Sequence, residues 1–298
     1  MSWRVIYIEE ADRVSLYLDN IKVIKNEEEI LIPISDIHSL LLDNYKILLS
    51  VQLINALAKA NVNVVLCDVD HLPVTMLNPL FGNSTAPKSL REQLSWNKIN
   101  KSILHQQIIK RKINHQKKLL EYIDKNIIEI NILEKYENEV EISDKTNREG
   151  LSAKMYFQGL FGKEFKRFDE DIINAGLNYG YAILRSQVSK TLIAKGLNTT
   201  LGIFHKGPNN NFNLSDDIME PFRPIIDVWV FKNLINEKLF LREHRLALIE
   251  QTTKDIYFKN QKQTIFNTIS LYVDSILNFL KTGNIEELIH PELKFDEL

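Results

Sequence analysis

Residues 203–224, which read IFHKGPNNNFNLSDDIMEPFRP, place an imidazole and several carboxylates on one short segment. His205 comes first and is followed by residues 206–211, where glycine, proline and asparagine all favour turns. Three acids come after the turn residues: Asp216, Asp217 and Glu220. The segment therefore predicts a loop that carries His205 on one side and the acids on the other. Imidazole and carboxylates together suit a divalent cation, although acids in this position are also typical of an ordinary helix start.

A further candidate acid, Glu149, belongs to the segment NREG at 147–150. Residues 146–149, TNRE, also match a capping box, in which the Glu149 side chain would bond the backbone of Thr146 at the start of a helix. The residues of this segment alone leave both roles open.

Glu220 and His205 have structural alternatives as well. Ser215 and Asp216 can cap a helix whose first turns contain Glu220, and a single histidine is more often a partly buried core residue than a ligand. If the three side chains do converge, glutamate and histidine ligands are too hard for a thiophilic metal. They favour Mg²⁺ or Mn²⁺, the ions that serve phosphoryl transfer.

Composition and motifs exclude several functional classes. The 298 residues are 44% hydrophobic and 26% charged, which is typical of a globular protein. The sequence has no phosphate-binding loop, no dinucleotide-binding glycine pattern, no GxSxG elbow and no zinc cluster. The one cysteine, Cys67, ends an apolar run and is predicted to be a buried thiol. Without an apolar run of roughly 20 residues or a signal-peptide pattern, we expect a cytoplasmic protein.

The region from Lys88 to Lys118 is locally basic in a chain whose net charge is −2. It contains nine lysine or arginine residues against one acid, Glu92. Two pairs of these residues are seven apart, so that each pair lies on one helix face about 10 Å apart. We predict that these four residues follow a DNA backbone: Lys110, Arg111, Lys117 and Lys118. The alternative is a solvated helix face in a lysine-rich protein.

Alternating hydrophobic residues over the first 80 positions predict a mainly antiparallel sheet. Asp19-Asn20 is predicted to be a hairpin turn, and a helix from about Leu48 to Ala60 interrupts the strands. Strand patterns resume at 62–67 and at 73–77.

Helical periodicity takes over after Pro87. A capping-box pattern, SLRE, predicts a helix start at Ser89, and the periodicity continues through Leu133. Four further helices are predicted, at about 149–161, 169–194, 225–237 and 243–280. We therefore predict an α+β protein with three parts: a β-rich domain at 1–81, a linker at 82–88 and a larger all-α domain at 89–298.

Four segments resemble, in order and spacing, motifs of the CRISPR-associated integrases, the first-numbered CRISPR-associated protein or Cas1 family. They are NREGLSAKMYF (147–157), LNYGY (177–181), GIFH (202–205) and DIMEPFRP (217–224). The resemblance covers nearly the whole chain. Trp3-Arg4 and the segment REQLSW at 91–96 resemble the type II branch, which works beside one large RNA-guided effector nuclease.

The resemblance implies a metal-dependent DNA endonuclease and integrase of CRISPR adaptation. Such an enzyme inserts prespacer DNA into the CRISPR array when a 3′-hydroxyl attacks a phosphodiester at a repeat boundary. The family motifs imply that Glu149, His205 and Glu220 hold Mg²⁺ or Mn²⁺ and carry catalysis, with Asp217 and Asp216 as weaker candidates for the third position. A ligating His205 must be neutral, so activity is expected to fall in acid.

The family also implies a set of partners. These are double-stranded DNA from the prespacer and the repeat, a second copy of the chain bound through the β-rich domain, the second-numbered CRISPR-associated protein, and the type II effector nuclease. Exposed edge strands of a small sheet independently favour the homodimer.

Two other functions remain as alternatives. One is a DNA-binding scaffold that keeps the fold without catalysis, against which the retention of all three ligand types argues. The other is a general metal-dependent DNA repair nuclease, which a single sequence does not distinguish from an integrase.

Overall fold

The computed structural model describes residues 4–77, 84–124 and 127–298. The chain divides into two compact units, Met1–Leu90 with Ile193–Leu197 and Arg91–Leu192 with Asn198–Leu298. Trp3 and positions 82 and 83 of the predicted linker lie outside the described residues, and residues 86–88 begin a helix. The predicted division into a dimerisation domain and a catalytic domain stays a prediction.

Within the residues that the structure describes, the N-terminal unit contains two four-stranded sheets and one complete α-helix. Its strands are β1 (Arg4–Ile8), β2 (Arg13–Tyr17), β3 (Asn20–Lys25), β4 (Glu28–Pro33), β5 (Ile37–Leu42), β6 (Leu48–Leu49), β7 (Asn63–Cys67) and β8 (Pro73–Leu77). The alternating pattern buries Val14 and Ile21 completely in the core of this unit, and Cys67 is a buried thiol, as predicted.

The predicted mainly antiparallel arrangement is correct for only part of each sheet, since β2–β3, β3–β4 and β7–β8 are antiparallel pairs. In the order β4-β3-β2-β6, β2 and β6 are parallel. In the order β1-β5-β7-β8, β1, β5 and β7 are parallel neighbours. Hydrophobic alternation specifies which face of a strand is buried but not the direction of its neighbour, which explains the error.

Two local boundaries in this unit differ from the predictions. The β2–β3 turn consists of Leu18 and Asp19, both with positive φ, while Asn20 closes the strand ladder opposite Tyr17. The helix α1 (Val51–Lys59) begins later than predicted, because the Ser50 hydroxyl accepts a hydrogen bond from the Leu53 amide and caps it.

The second unit is mainly helical, which confirms the α+β class. Its helices are α2 (Ala86–Leu94), α3 (Lys98–Tyr122), α4 (Ile127–Glu139), α5 (Arg148–Phe161), α6 (Ile172–Ala194), α7 (Asn213–Met219), α8 (Pro224–Leu234), α9 (Arg242–Gln251) and α10 (Ile265–Thr282). The first residues of α2 and the last residues of α6 belong to the N-terminal unit. Among the described residues, no helix has both the length and the apolar character needed to cross a membrane.

Two predictions for this region are corrected. α2 begins at Ala86, so Ser89 lies inside the helix and does not cap it. A hairpin of β9 (Asp255–Phe258) and β10 (Gln261–Thr264) divides the helix predicted at 243–280. Its turn residues, Lys259 and Asn260, have positive φ, which an α-helix does not accommodate.

α3 is the central helix of the unit. Ten of its 25 residues are buried, among them His105, Lys112 and His115. A helix this deeply packed is not the solvated basic face considered from the sequence. The packing around α3 therefore holds its buried polar residues in place.

Gly180 permits close packing between α6 and α8. A Cβ atom at this position would overlap Ile226 Cγ2, and two further Ile226 carbons would lie 3.2 and 3.3 Å away. The glycine of the LNYGY segment is therefore explained by a helix contact that has no room for a methyl group.

Gly180→Ala is expected to lower the free energy of unfolding by about 1–3 kcal/mol through overpacking. Urea denaturation of the whole chain measures this loss. Gly180→Ala combined with Ile226→Ala should lose less stability than the two single variants added together, because alanine lacks the Cγ2 atom that the new methyl group overlaps. Additive losses would contradict this contact as the cause.

Candidate active site

Glu149 lies in the first turn of α5, and a different acid caps that helix. The Asp144 carboxylate accepts hydrogen bonds from the Arg148 and Glu149 amides at 2.7 and 3.0 Å. Asn147, at the N-cap, has a left-handed backbone and makes no side-chain cap bond. The capping-box alternative for Glu149 is therefore wrong, and the side chain of Glu149 is available for another role.

Asp217 organises the segment that carries His205. One carboxylate accepts hydrogen bonds from three successive amides, those of Ile203, Phe204 and His205, at 2.5, 3.1 and 3.1 Å. The same carboxylate also lies 2.7 Å from His205 Nδ1. Because Asp217 is itself buried and engaged by four donors, its place in the site is that of an anchor.

This close wrapping explains Gly202. A Cβ atom there would overlap the His205 carbonyl oxygen and lie 3.0 Å from Asp217 Oδ2. Only glycine leaves room for the backbone to fold around the aspartate.

Glu220 follows α7 directly, in a single 3₁₀ turn, Glu220–Phe222. Ser215 and Asp216 lie within α7 and so do not cap the helix in the way the sequence suggested. Asp216 accepts a hydrogen bond from Asn210 Nδ2 at 2.8 Å and lies beside Arg185. The hydrogen bond from Asn210 stabilises the loop of residues 206–211.

The next residue, Pro221, is fixed from α3. His115 Nδ1 lies 2.7 Å from the Pro221 carbonyl oxygen, so this nitrogen carries the proton and donates it. Complete burial and the nearby Arg111 lower the pKa of His115 to about 3. The imidazole is neutral in the folded protein.

The free energy of unfolding is expected to fall as the pH drops from 6.5 toward 3, because only the unfolded chain then binds a proton at His115. The slope contributed by this residue approaches about 1.4 kcal/mol per pH unit. His115→Asn, which keeps an N–H donor for Pro221, should make the acid dependence shallower in urea titrations at pH 7, 6 and 5. His244→Asn, at the partly exposed start of α9, is the matched control. An unchanged acid slope in His115→Asn would contradict the assignment.

Lys112 joins the two glutamates. Its Nζ atom lies 2.8 Å from Glu149 Oε1 and 2.6 Å from Glu220 Oε2. The first contact is a hydrogen bond, whereas Glu220 Oε2 is buried without an aligned donor. The structure therefore places a positive charge between the two carboxylates that the sequence singled out.

The opposite charges of Lys112 and Glu149 stabilise each other. Burial opposes ionisation of Lys112, but Glu149 and Glu220 outweigh it and raise the pKa of the ammonium above its usual value. Burial likewise opposes ionisation of Glu149, but Lys112 and His105 lower the pKa of the carboxyl well below its usual range. Both groups are consequently charged at neutral pH.

Glu149, His205 and Glu220 line one small cavity in the second unit, which is too narrow to admit a water molecule. The hydrogen bond between Nδ1 of His205 and Asp217 raises the pKa of the imidazole. The other ring nitrogen, Nε2, takes no part in that hydrogen bond. The ligand atoms of the three residues are not drawn together as tightly as a metal-bound set. Across residues 4–77, 84–124 and 127–298, a trio within 4.8 Å of one another occurs elsewhere, at Glu9, Asp43 and His71.

His105 also lines this cavity, and the sequence interpretation missed it. Its ring stacks on Phe204 with a centroid distance of 3.7 Å, and its Nε2 lies 3.9 Å from Glu149 Oε2. Both ring nitrogens are buried without an aligned hydrogen bond. The available signal was spacing, since His105 and Lys112 are seven residues apart and share one face of α3.

A buried network that includes residues of the other motif segments holds Glu220 in position. Tyr156 donates a hydrogen bond to Asp227 at 2.8 Å, and Tyr181 donates a second one to the same carboxylate. Burial raises the pKa of Asp227 to about 6. Arg223 lies 4.6 Å from the centre of the Tyr181 ring and 3.0 Å from Glu220 Oε1. Residues from three separate motifs thus support the glutamate from behind.

The four basic residues predicted to bind DNA have different surroundings. Lys117 pairs with Glu134 and Glu137, at 3.7 and 3.2 Å, and Lys118 lies 3.4 Å from Glu292. Lys110 lines a surface cavity together with Lys145 and Arg148. Arg111 is partly buried and acts electrostatically on His115. Two of the four charges are therefore already balanced by carboxylates.

Comparison with known proteins identifies a consistent set of relatives. The family described as CRISPR associated protein Cas1 matches residues 6–261. A CRISPR-associated endonuclease Cas1 of Neisseria meningitidis serogroup C is 30% identical, over 98% of this chain and 97% of its own. A Cas1 protein from Thermotoga maritima has a TM-score of 0.76 at 14% identity, covering 94% of this chain and 97% of that one. A casposase bound to its integration product has a TM-score of 0.74 at 20% identity, covering 99% and 93%.

Proposed function

The chain belongs to the Cas1 family of CRISPR-associated proteins, and from this premise we propose that it is a metal-dependent DNA endonuclease and integrase of CRISPR adaptation. The observation that carries the proposal is the cavity shared by Glu149, His205 and Glu220, which come from three family motifs, with Glu149 lying 56 residues before His205 in the sequence. The type II branch stays a prediction, with which the similarity to the Neisseria protein along the whole chain is consistent.

Mg²⁺ or Mn²⁺ is the proposed cofactor, and the donor set fits such an ion. The carboxylates of Glu149 and Glu220 already converge on one positive charge, and Glu220 Oε2 is a buried oxygen without an aligned donor. His205 would contribute Nε2, because its Nδ1 is committed to Asp217. A bound divalent ion would supply charge stabilisation at the scissile phosphate and its leaving oxygen.

Lys112 has a proposed role of its own in this reaction. Its ammonium is buried, permanently charged at neutral pH and held between the two glutamates. A preorganised positive charge beside a phosphodiester stabilises the negative charge that develops as the bond to the leaving oxygen breaks. We propose that Lys112 shifts from the carboxylates toward the phosphate oxygens when DNA enters.

Integration and nicking are one reaction with two nucleophiles. Attack by the prespacer 3′-hydroxyl at a repeat-boundary phosphodiester joins two DNA ends and releases a 3′-hydroxyl of the target. Attack by water at the same phosphorus leaves a nick. The same side chains serve both reactions, because the bond that breaks is identical.

A strand-transfer assay tests the proposal directly. The chain, its Cas2 partner, Mn²⁺ and a plasmid with a repeat array are incubated with prespacers that end in a 3′-hydroxyl or a 3′-dideoxy nucleotide. Joined products are expected with the hydroxyl ends alone, while target nicking continues with both. Nicking without any joining would favour a repair nuclease, and an absence of both reactions would favour a non-catalytic scaffold.

The proposed homodimer has a structural basis in the N-terminal unit. β4 is the edge strand of its sheet, and Ile30 and Leu31 on it are 57% and 48% exposed. An exposed apolar edge strand is suited to pairing with a second copy. Partners proposed from the family are Cas2, which assembles with a Cas1 in one of the similar solved structures, double-stranded DNA, and the type II effector nuclease.

Lys110 and Lys117 are expected to differ in their contribution to DNA affinity. Lys110→Gln should reduce the slope of log affinity against log salt by about 0.9, the value for one duplex phosphate contact, because this side chain lines an open surface cavity and neither acid of that cavity, Glu139 or Glu141, forms an ion pair with it. Lys117→Gln should leave the slope unchanged, because Glu134 and Glu137 already neutralise that lysine. Fluorescence anisotropy with labelled duplex at several salt concentrations measures both slopes. Equal slopes for Lys110→Gln and the wild type would show that DNA does not contact Lys110.

A further inference from the structure

Three chemically active side chains meet at one edge of the parallel sheet in the N-terminal unit. Glu9 follows β1 directly, Asp43 follows β5 directly, and His71 lies in the turn after β7. These three strands are parallel neighbours in the order β1-β5-β7. The carboxyl ends of parallel strands share one edge of a sheet, which is where open α/β sheets bind their ligands.

The three side chains are close enough to share one ion. One carboxylate oxygen from each acid and one imidazole nitrogen lie within 4.8 Å of one another. His71 Nδ1 is 2.8 Å from Asp43 Oδ1. Zinc bonds to nitrogen and carboxylate oxygen are about 2.0–2.2 Å long, so small side-chain rotations bring this trio to ligating distances.

Asp43 is held rigidly in place. Its side chain is fully buried, and the Tyr7 hydroxyl donates a hydrogen bond to Oδ2 while Oδ1 faces His71. Asn44 Nδ2 donates to the Glu9 carbonyl oxygen at 2.8 Å, which links the ends of β1 and β5. A hydrogen bond to the outer oxygen of a ligating carboxylate is the usual support of a metal site.

His71 is presented by an unusual backbone conformation. Its φ is +62°, in the left-handed region that few residues adopt. The Asp68 carboxylate stabilises this turn by accepting hydrogen bonds from the Asp70 and Leu72 amides, both at 3.0 Å. The turn is therefore built to direct an imidazole toward Asp43.

We propose that Glu9, Asp43 and His71 bind a divalent transition-metal ion in a site separate from the proposed catalytic cavity, with Zn²⁺ as the probe because it binds nitrogen and oxygen donors more tightly than Mn²⁺ does. A divalent ion would balance both carboxylates and accept the imidazole as its third ligand. Two carboxylates and one imidazole leave a fourth, open position for water, which is typical of Zn²⁺ with three protein ligands. The ion would tie together the ends of three strands.

Zinc binding to the full chain tests the site independently of activity. The chain carries Glu149→Gln, His205→Asn and Glu220→Gln to silence the proposed catalytic cavity, and bound Zn²⁺ is measured by equilibrium dialysis in excess Mg²⁺. One equivalent of Zn²⁺ is expected. Adding His71→Asn or Glu9→Gln should weaken binding at least about ten-fold. Asparagine tolerates the left-handed backbone, so the turn is preserved.

Glu10→Gln is the matched control, because that neighbouring carboxylate pairs with Lys25 and lies outside the trio. It should bind zinc like the silenced chain, and circular dichroism should be the same for all variants. A silenced chain that binds no zinc overturns the proposal. So does zinc binding that persists unchanged in both His71→Asn and Glu9→Gln.

Discussion

Glu149→Gln and Glu220→Gln are each expected to reduce strand transfer by about 10²–10³-fold or more while the protein stays folded. Each change removes the negative charge that faces the proposed ion and Lys112, yet keeps the shape of the side chain. Single-turnover joining of a 3′-hydroxyl prespacer, followed on denaturing gels, measures the loss. His205→Asn should produce a comparable loss, because Nε2 is removed from the cavity.

Glu134→Gln is the matched control for these variants. That glutamate is exposed on α4 and pairs with Lys117, and neither residue lines the cavity. It should join DNA at the rate of the wild type. Wild-type joining by Glu149→Gln or by Glu220→Gln would remove that residue from the proposed catalytic set.

Asp217→Ala is expected to lose joining activity as well, but through a loss of structure. Removing the carboxylate leaves three backbone amides without their acceptor, of which that of Ile203 is buried and those of Phe204 and His205 are partly buried. The segment that carries His205 should then become disordered. Urea denaturation should show a fall of at least about 1 kcal/mol in the free energy of unfolding, the cost of one buried amide without an acceptor.

This contrast separates an anchor from a ligand. Glu220→Gln keeps the shape of the side chain and leaves Lys112 paired with Glu149, so it should cost activity with a smaller loss of stability than Asp217→Ala. If Asp217→Ala were as stable as the wild type but inactive, and Glu220→Gln were active, the third position would belong to Asp217. Asp216→Asn should retain activity, because its carboxylate is turned toward Asn210 and Arg185.

The fold class was predictable because the periodicity of hydrophobic residues distinguishes strands from helices. Alternating residues of β2 and β3 and the helical spacing of α5 and α6 appear directly in the sequence. The parallel pairing of β1, β5 and β7 was not, because it depends on which distant strand becomes a neighbour. The β9–β10 hairpin was missed since helical patterns flank it on both sides, although Lys259-Asn260 between two short alternating runs was a usable turn signal.

The site was predictable only where the motifs name its residues. Glu149, His205 and Glu220 were found that way, and whether they perform catalysis stays a prediction. Lys112 and His105 were missed, because α3 was interpreted by its net charge instead of by its buried face. The cap supplied by Asp144 and the anchoring by Asp217 also escaped notice, since both depend on backbone geometry that side-chain types do not reveal.

Lys112 gives the protein a built-in counter-ion. Two acidic groups crowded together would otherwise repel each other, and the fold would depend on a captured ion to persist. With the ammonium between them, the fold is stable without an ion, and only the proposed chemistry would require one. Chelation during purification, or a scarcity of free divalent ions in the cell, should therefore leave an intact and dormant protein that recovers when ions return.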